Sequence, residues 1–294
     1  MPVVARAGRA VLRDYGGSGP PVVFVPSLIN PPLILDMPYR RSLLRWLSRQ
    51  GVRPLLVDWG TPAPQDRAQD VAQHIEGMLI PLLRSIGEPA ALVGYCLGGT
   101  MAMAAAAAIP VRGLALIAAP WRFSGFGAEA IARIESLWDG AHETCDRLGL
   151  VPMEVLQSGF WQLDPARTIA KYERFGRLDP QSAAAKSFVA MEDWANAGAP
   201  LTYAAGQQVF DDLFTADLPG RGRWRVAGTI PDPVALPCPT VEFVSLTDRI
   251  VPHTSAAGFA DRRELRLGHV GMVVGSSAKD ALWRPLADWL TRPR

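Results

Sequence analysis

Position 96 is a cysteine within Gly-Tyr-Cys-Leu-Gly, a spacing typical of a nucleophile held on a sharp turn. The apolar run 90–93 before it predicts a strand, and the run 100–109 after it predicts a helix. Such a turn strains the central residue and requires small neighbours, here Gly94, Gly98 and Gly99. We therefore predict that Cys96 is a nucleophile, at a helix N-terminus where the positive end of the dipole favours a thiolate.

A cysteine nucleophile needs a base within hydrogen-bonding reach, and the base needs an orienting partner. Of the four histidines, only His269 lies just beyond the last predicted strand (264–267). His74 lies in a helical run, His142 in the middle segment and His253 in a loop. Asp248 follows the predicted strand 241–244. The order Cys96, Asp248, His269 resembles the nucleophile, acid and histidine order of α/β-hydrolases. These three residues are the predicted catalytic triad.

Each of these residues also has a simpler interpretation. A single cysteine is commonly a small buried apolar residue, and an aspartate after a strand is commonly a turn residue. A histidine such as His269 could also lie at the surface or cap a helix. Asp58 is a rival acid, but it precedes the nucleophile in the chain and is more typical of a loop anchor.

Acyl transfer also requires donors for the oxyanion that forms on the attacked carbonyl. One predicted donor is the backbone N–H of Leu97, which follows the nucleophile. The other belongs to the loop 25–32 after an early strand, with Leu28 as the first choice and Ser27 as the alternative.

The order of predicted elements indicates an α/β fold. Seven short apolar runs alternate with helical runs, which favours a mostly parallel, doubly wound sheet. The alternation stops between about 120 and 237, where several aromatic-rich helices are predicted. We therefore predict a core over 1–120 and 236–294 with an inserted, mainly helical cap over 121–235, and interpret most of the cap's aromatic residues as its own core.

Composition excludes several classes of protein. The chain has 294 residues and three cysteines. Its net charge of +2 gives no electrostatic reason for nucleic-acid binding. Its N-terminus lacks the apolar run of a secretory signal, and the apolar stretch 101–110 is too short to span a bilayer. Cysteines without metal-type spacing and with a free thiol at 96 favour a reducing cytoplasm. No metal and no cofactor are expected.

Beyond the triad, several motifs resemble those of the polyhydroxyalkanoate synthases, a family within the α/β-hydrolase superfamily. The matching segments run along most of the chain and are Pro-Ser-Leu-Ile-Asn-Pro at 26–31, Val-Asp-Trp-Gly-Thr-Pro at 57–62, Gly-Tyr-Cys-Leu-Gly-Gly-Thr at 94–100, Asp-Arg-Ile-Val-Pro at 248–252 and Gly-His-Val-Gly at 268–271. Trp283 and Trp289 fit the pattern that closes the family's catalytic domain.

The resemblance implies a chemistry. Cys96 would take an (R)-3-hydroxyacyl group from a coenzyme A thioester, which is a substrate rather than a cofactor, and a hydroxyl group would then attack the cysteinyl thioester. His269 would accept the proton and Asp248 would orient His269. The family also implies an acyl-CoA or polyester partner, a homodimer, and a cytoplasmic location at polyester granules.

Two departures from the family pattern accompany the resemblance. The first predicted strand begins within about ten residues, so a short form without the family's N-terminal extension is expected. Arg249 follows the acid where the family often has histidine. Two alternative functions therefore stay open: a hydrolase of the same fold, such as an esterase, thioesterase or polyester depolymerase, and a catalytically silent granule-associated or binding protein.

Overall fold

A computed structural model describes residues 1–37, 41–162 and 165–292. The described residues form these strands: β1 (Val3–Ala7), β2 (Ala10–Asp14), β3 (Pro21–Val25), β4 (Asp36–Met37), β5 (Arg41–Ser42), β6 (Arg53–Asp58), β7 (Ala91–Tyr95), β8 (Gly113–Ile117), β9 (Leu150–Val151), β10 (Leu201–Thr202), β11 (Thr240–Ser245) and β12 (Arg262–Leu265). Eight of them make the main sheet, and the two short pairs β4–β5 and β9–β10 lie outside it.

The main sheet has the order β1-β2-β6-β3-β7-β8-β11-β12. The pairs from β6 to β12 are parallel, whereas β1–β2 and β2–β6 are antiparallel. Pairing of Val25 with Gly94, and of Ser245 with Leu265, brings the carboxyl ends of β3, β7, β11 and β12 to one edge. Loops that follow these strands therefore meet at that edge, where open α/β sheets bind their ligands.

Helices cover both faces of this sheet. Their bounds are α1 (Leu43–Leu47), α2 (Val71–His74), α3 (Ile80–Arg84), α4 (Leu97–Ala108), α5 (Ala128–Leu148), α6 (Met153–Gln162), α7 (Pro165–Phe175), α8 (Ala183–Asn196), α9 (Tyr203–Gln207), α10 (Gly271–Val274) and α11 (Arg284–Thr291). Wider π-helical stretches occur at three places: Ile75–Leu79 joins α2 to α3, Gln208–Thr215 extends α9, and Lys279–Trp283 leads directly into α11. None of the helices in the described ranges is long and apolar enough to cross a bilayer.

The core has two layers, one on each face of the sheet. Successive side chains of a strand point to opposite faces, so β3 contributes Val23 and Val25 to one cluster and Val22 and Phe24 to the other. Strands buried on both sides are continuous apolar runs, and this explains why the sequence reveals them so clearly.

The predicted α/β class and sheet are confirmed, with local corrections. All seven predicted strands overlap observed ones, but β1 was missed because its five residues alternate between partly buried and exposed. The last strand begins at Arg262 instead of 264, since two arginines precede its apolar part. The sequence also predicts a helix over 41–49, but the observed helix covers only Leu43–Leu47, because residues 41–42 pair with β4.

Residues between β8 and β11 form α5 to α9 together with the β9–β10 pair. Many of their aromatic rings pack on one another, as Trp138 does on Phe210 with ring centroids 4.7 Å apart. Trp138 and Phe210 also belong to the same hydrophobic cluster as Trp59 and Trp121. The boundaries 121–235 of a cap that behaves as a unit stay a prediction.

Candidate active site

Cys96 is the residue between the end of β7 and the first turn of α4. Its backbone has φ 56° and ψ −136°, a conformation that costs free energy for any residue with a side chain. The surrounding sheet and helix impose this strain, since Cys96 N–H donates to the Ile117 carbonyl at 3.1 Å. The side chain consequently lies at the edge of the sheet and lines a cleft.

Close packing explains the glycines of the turn. A Cβ atom on Gly94 would lie 2.3 Å from Gly99 Cα, and one on Gly98 would lie 2.2 Å from the Val25 carbonyl oxygen. A Cβ atom on Gly99 would lie 2.2 Å from Ala119 Cβ. The strand, the helix and the loop after β3 therefore approach one another more closely than any side chain allows.

His269 lines the same cleft as Cys96, and its imidazole is bonded to Asp248, which lies buried behind it. His269 Nδ1 lies 2.6 Å from Asp248 Oδ2, and the two side chains are only 6% and 0% exposed. The other carboxylate oxygen, Asp248 Oδ1, accepts from the Ile250 and Val251 N–H groups at 2.8 and 3.1 Å. Because both oxygens of the carboxylate are engaged, its position, and hence that of the imidazole ring, is fixed.

The electrostatics of His269 follow from two acidic neighbours. Burial lowers its pKa, but the charges of Cys96 and Asp248 and the hydrogen bonds to both side chains outweigh burial and raise that pKa to about 10. These two acidic neighbours therefore favour the protonated form of the His269 imidazole. With Nδ1 bonded to Asp248, Nε2 is the nitrogen left for Cys96.

Tyr95 was missed in the sequence although it lies within the same motif. Its ring stacks on that of His269 with centroids 5.0 Å apart, and its hydroxyl donates to the His269 carbonyl at 3.3 Å. Burial first, then the acidic Cys96 and Asp248, raise the pKa of Tyr95 well above its usual value, so the phenol stays protonated. Its place immediately before the nucleophile was the available signal.

The loop after β3 forms one wall of the cleft, through Pro26, Ser27 and Asn30 among others. Ser27 is buried, and its hydroxyl accepts from the Ile29 N–H at 3.1 Å, which closes a tight turn around Leu28. Leu97 is the first residue of α4, directly after Cys96. The oxyanion role of the Leu28 and Leu97 N–H groups stays a prediction.

The cleft has a volume of about 220 Å³. Its lining combines apolar side chains with amides and an ion pair. The apolar residues are Pro26, Ile29, Pro31, Ile34, Trp194, Ala195, Ile250 and Val270, and the polar ones are Ser27, Asn30, Gln157, Lys171, Glu192 and Asn196. Lys171 Nζ donates to both oxygens of Glu192 at 2.8 Å. Such a lining suits a small acyl group with a polar substituent.

The rival acid and the remaining histidines lie elsewhere. Asp58 accepts from the Arg13 guanidinium at 2.8 and 2.9 Å and from the Gly60 N–H at 3.2 Å, as expected of a loop anchor. His74 is buried, with Nδ1 2.6 Å from the Asp70 carbonyl. His142 lies on α5 beside Trp138, and His253 begins a short 3₁₀ turn.

The fold and this site define the class of the protein. A sequence model described as the alpha/beta hydrolase family matches residues 22–284, and the chain belongs to that family. Within it, the chain is similar to proteins named poly(3-hydroxyalkanoate) polymerase subunit PhaC. The resemblance inferred from the motifs is thereby confirmed.

Three of these relatives illustrate the extent of the match, and each alignment covers 92% of this chain. The protein from Haloferax mediterranei is 29% identical and is covered over 58% of its length. Those from Synechocystis and Allochromatium vinosum are each 26% identical and are covered over 77% and 80%. The chain thus spans about three fifths of the Haloferax mediterranei relative.

Solved structures support the fold alone. An esterase from Thermogutta terrifontis superposes with a TM-score of 0.59 at 16% identity, covering 97% of both chains. A putative non-heme bromoperoxidase from Mycobacterium tuberculosis has a TM-score of 0.58 at 16% identity, with 99% of this chain and 98% of the other covered. Similarity over both whole chains confirms the α/β-hydrolase architecture.

Proposed function

We propose that the protein is a cysteine-dependent acyltransferase that moves (R)-3-hydroxyacyl groups from coenzyme A thioesters to a hydroxyl acceptor. One observation carries the proposal: the strained Cys96 and the imidazole of His269 line one cleft, and the buried carboxylate of Asp248 is bonded to that imidazole. The similarity to PhaC polymerase subunits supplies the substrate class.

In the first half-reaction Cys96 Sγ attacks the thioester carbonyl while the thiol proton is held on His269. The carbonyl oxygen becomes an oxyanion, for which the Leu28 and Leu97 N–H groups are the proposed donors. Collapse of this intermediate breaks the bond between the carbonyl carbon and the coenzyme A sulfur. The departing thiolate takes the proton from His269 and leaves as free coenzyme A, and Cys96 retains the acyl group as a thioester.

In the second half-reaction the hydroxyl of another hydroxyacyl unit attacks the cysteinyl thioester. His269 accepts the hydroxyl proton as the new ester bond forms, and the bond from the carbonyl carbon to Cys96 Sγ breaks. The proton then returns to the sulfur. Asp248 acts in both halves by holding Nδ1–H, which presents Nε2 to the reacting atoms and stabilises the imidazolium.

Transfer is favoured over hydrolysis by the nucleophile and by its surroundings. A thiolate attacks well near neutral pH, and the thioester that it forms persists until an acceptor arrives. The apolar residues of the cleft, among them Ile29, Ile34 and Trp194, restrict water around that thioester. Hydrolysis by the same residues is the competing outcome that an experiment must separate.

The decisive experiment supplies the purified protein with (R)-3-hydroxybutyryl-CoA and measures free coenzyme A, free hydroxy acid and polymer separately. Release of coenzyme A with polymer or oligomer supports transfer, whereas stoichiometric free acid supports a thioesterase. Cys96→Ala should abolish both. If coenzyme A is released equally by Cys96→Ala, the proposed mechanism is wrong.

The same reaction suggests where the protein works. A polyester product separates from water, so we propose that the protein acts at the surface of such granules inside the cell. The family resemblance further leads us to propose a homodimer. Co-sedimentation with granules and analytical ultracentrifugation of the purified protein are the corresponding tests.

A further inference from the structure

Two buried indole groups hold the two ends of the loop over residues 26–31, named here the oxyanion loop. At its beginning, Trp59 Nε1 donates to the Pro26 carbonyl at 3.1 Å. At its end, Trp194 Nε1 donates to the Pro31 carbonyl at 2.8 Å. The two tryptophans are 6% and 7% exposed. Leu28, the proposed oxyanion donor, lies midway between these two anchored carbonyls.

The residues at both ends of the oxyanion loop are prolines, which limits how their backbone can be held. A proline has no N–H, so its carbonyl is the only backbone group through which it can be hydrogen-bonded. An indole N–H is a donor only, and a buried one normally requires an acceptor. Each tryptophan and its proline carbonyl therefore satisfy one another, and together they fix the planes of the terminal peptides of the oxyanion loop.

The two anchors come from different parts of the chain. Trp59 follows β6 and packs within the core, with its ring 6.2 Å from that of His74. The Pro26 carbonyl that it binds also packs on α4, since a Cβ atom on Gly98 would lie 2.5 Å from that oxygen. This end of the oxyanion loop is therefore tied to the helix that carries Cys96.

Trp194 lies near the end of α8, outside the sheet. A reciprocal bond reinforces its contact, because Asn30 Nδ2 donates to the Ala195 carbonyl at 3.3 Å. The same helix carries Glu192, whose carboxylate accepts from Lys171 and Tyr172 of α7. The second end of the oxyanion loop is thus tied to the helices between β8 and β11.

We infer that Trp59 and Trp194 are positioning residues that hold the oxyanion loop so that its backbone donor meets the developing oxyanion. The inference rests on the proposed function, because that charge forms only when Cys96 attacks an acyl carbonyl. Such donors act over a narrow range of about 2.7–3.1 Å, so a small shift of the loop removes much of their effect. Neither indole needs to touch the reacting atoms.

The test compares two reactions of Cys96, one that needs an oxyanion and one that does not. Single-turnover acylation by saturating (R)-3-hydroxybutyryl-CoA is followed by coenzyme A release and by the mass of the protein. Alkylation by iodoacetamide, a displacement at a saturated carbon, reports the nucleophilicity of the thiol. Saturating donor separates the rate of the step from any change in substrate binding.

The variants are Trp59→Phe and Trp194→Phe, which retain a buried aromatic ring but lose the N–H donor. Trp283→Phe is the matched control, because Trp283 is equally buried and its Nε1 donates at 2.8 Å to a carbonyl outside the oxyanion loop, that of Val273. We expect acylation to fall by about tenfold or more in the first two variants. Alkylation in all three, and acylation in Trp283→Phe, should stay within about twofold of the unaltered protein.

Four results would overturn the inference. Unchanged acylation in both Trp59→Phe and Trp194→Phe would show that the anchors are dispensable. Equal losses of acylation and alkylation in Trp59→Phe and Trp194→Phe would assign the two indoles a merely structural role. A loss of acylation in all three variants, Trp283→Phe included, that parallels their loss of thermal stability would do the same. If the unaltered protein is alkylated but never acylated, the proposed function itself fails, and the inference fails with it.

Discussion

The phenol ring of Tyr95 lies against the imidazole of His269, and its hydroxyl bonds to the backbone of the same residue. The ring centroids are 5.0 Å apart, and the hydrogen bond to the His269 carbonyl is 3.3 Å long. The residue before the nucleophile therefore supports the base. Because β7 fixes Tyr95, the strand that presents Cys96 also positions His269 relative to it.

Tyr95→Phe should keep the stacking and lose only the hydroxyl bond. We expect a loss of about 1 kcal/mol in the free energy of unfolding. Tyr95→Ala removes the ring from a fully packed site and should cost about 3–5 kcal/mol. Urea denaturation of both variants measures these values, and equal losses for Phe and Ala would contradict a role for the stacked ring.

Asp248→Asn should slow acylation of Cys96 by at least about tenfold, because a neutral amide neither holds the required tautomer nor stabilises the imidazolium. Loss of the carboxylate removes a charge and a hydrogen bond that raise the pKa of His269, so that pKa should fall. Imidazole proton NMR over a pH series measures the change.

The matched control is Asp58→Asn, which removes the rival acid. Asp58 pairs with Arg13 at 2.8 Å and contacts no residue of the triad in the described structure. We expect its acylation rate to stay within about twofold of the unaltered protein. A larger loss in Asp58→Asn than in Asp248→Asn would reverse the assignment of the acid.

The buried His74 should make stability depend on pH. Burial first, and then the charge of Arg9, lower its pKa to about 4, although its bond to the Asp70 carbonyl opposes the shift. Between about pH 4 and 6.5 the unfolded chain binds a proton that the folded protein does not, so stability falls as the pH falls through this window.

The expected contribution of His74 is about 3 kcal/mol lost on going from above pH 6.5 to below pH 4. His74→Gln cannot be protonated and should give a flatter curve over that window. Urea denaturation at intervals of pH measures both proteins. A curve with the same slope for His74→Gln and the unaltered chain would contradict this account.

Gly98→Ala tests the packing beneath the nucleophile. Its Cβ atom would lie 2.2 Å from the Val25 carbonyl oxygen, so backbone must move, and we expect a loss of more than about 2 kcal/mol in stability. Gly140→Ala is the control, since nothing lies within 4 Å of its added Cβ in the exposed middle of α5. That change should stabilise the protein by about 0.5–1 kcal/mol.

The parts of the site that follow a local pattern could be predicted from the sequence. The nucleophile can be recognised from its neighbouring glycines, which close packing requires. Asp248 and His269 each follow a strand that can be recognised from its run of apolar residues. Strand β1 was missed because two of its five residues are exposed and the other three are only partly buried. The π-helical stretch Ile75–Leu79 has no local signal of its own in the sequence.

Contacts between distant segments could not be predicted. The hydrogen bond of Trp194 to Pro31 joins residues 163 positions apart, and nothing near either residue indicates the other. Likewise, the stacking of Tyr95 on His269 depends on how the loop after β12 returns across the sheet edge. Such pairs are set by tertiary packing, which periodicity and motif spacing do not record.

The size of the cleft sets an order of events for the proposed reaction. Its volume of about 220 Å³ is below the range of about 300–1,000 Å³ common for pockets that enclose whole ligands. In the proposed reaction, one short acyl unit would lie beside Cys96, with the nucleotide part of coenzyme A outside the cleft. Donor and acceptor must then occupy the same space in turn, which predicts substituted-enzyme kinetics, with parallel lines in double-reciprocal plots, and a polymer that grows away from the protein one unit at a time.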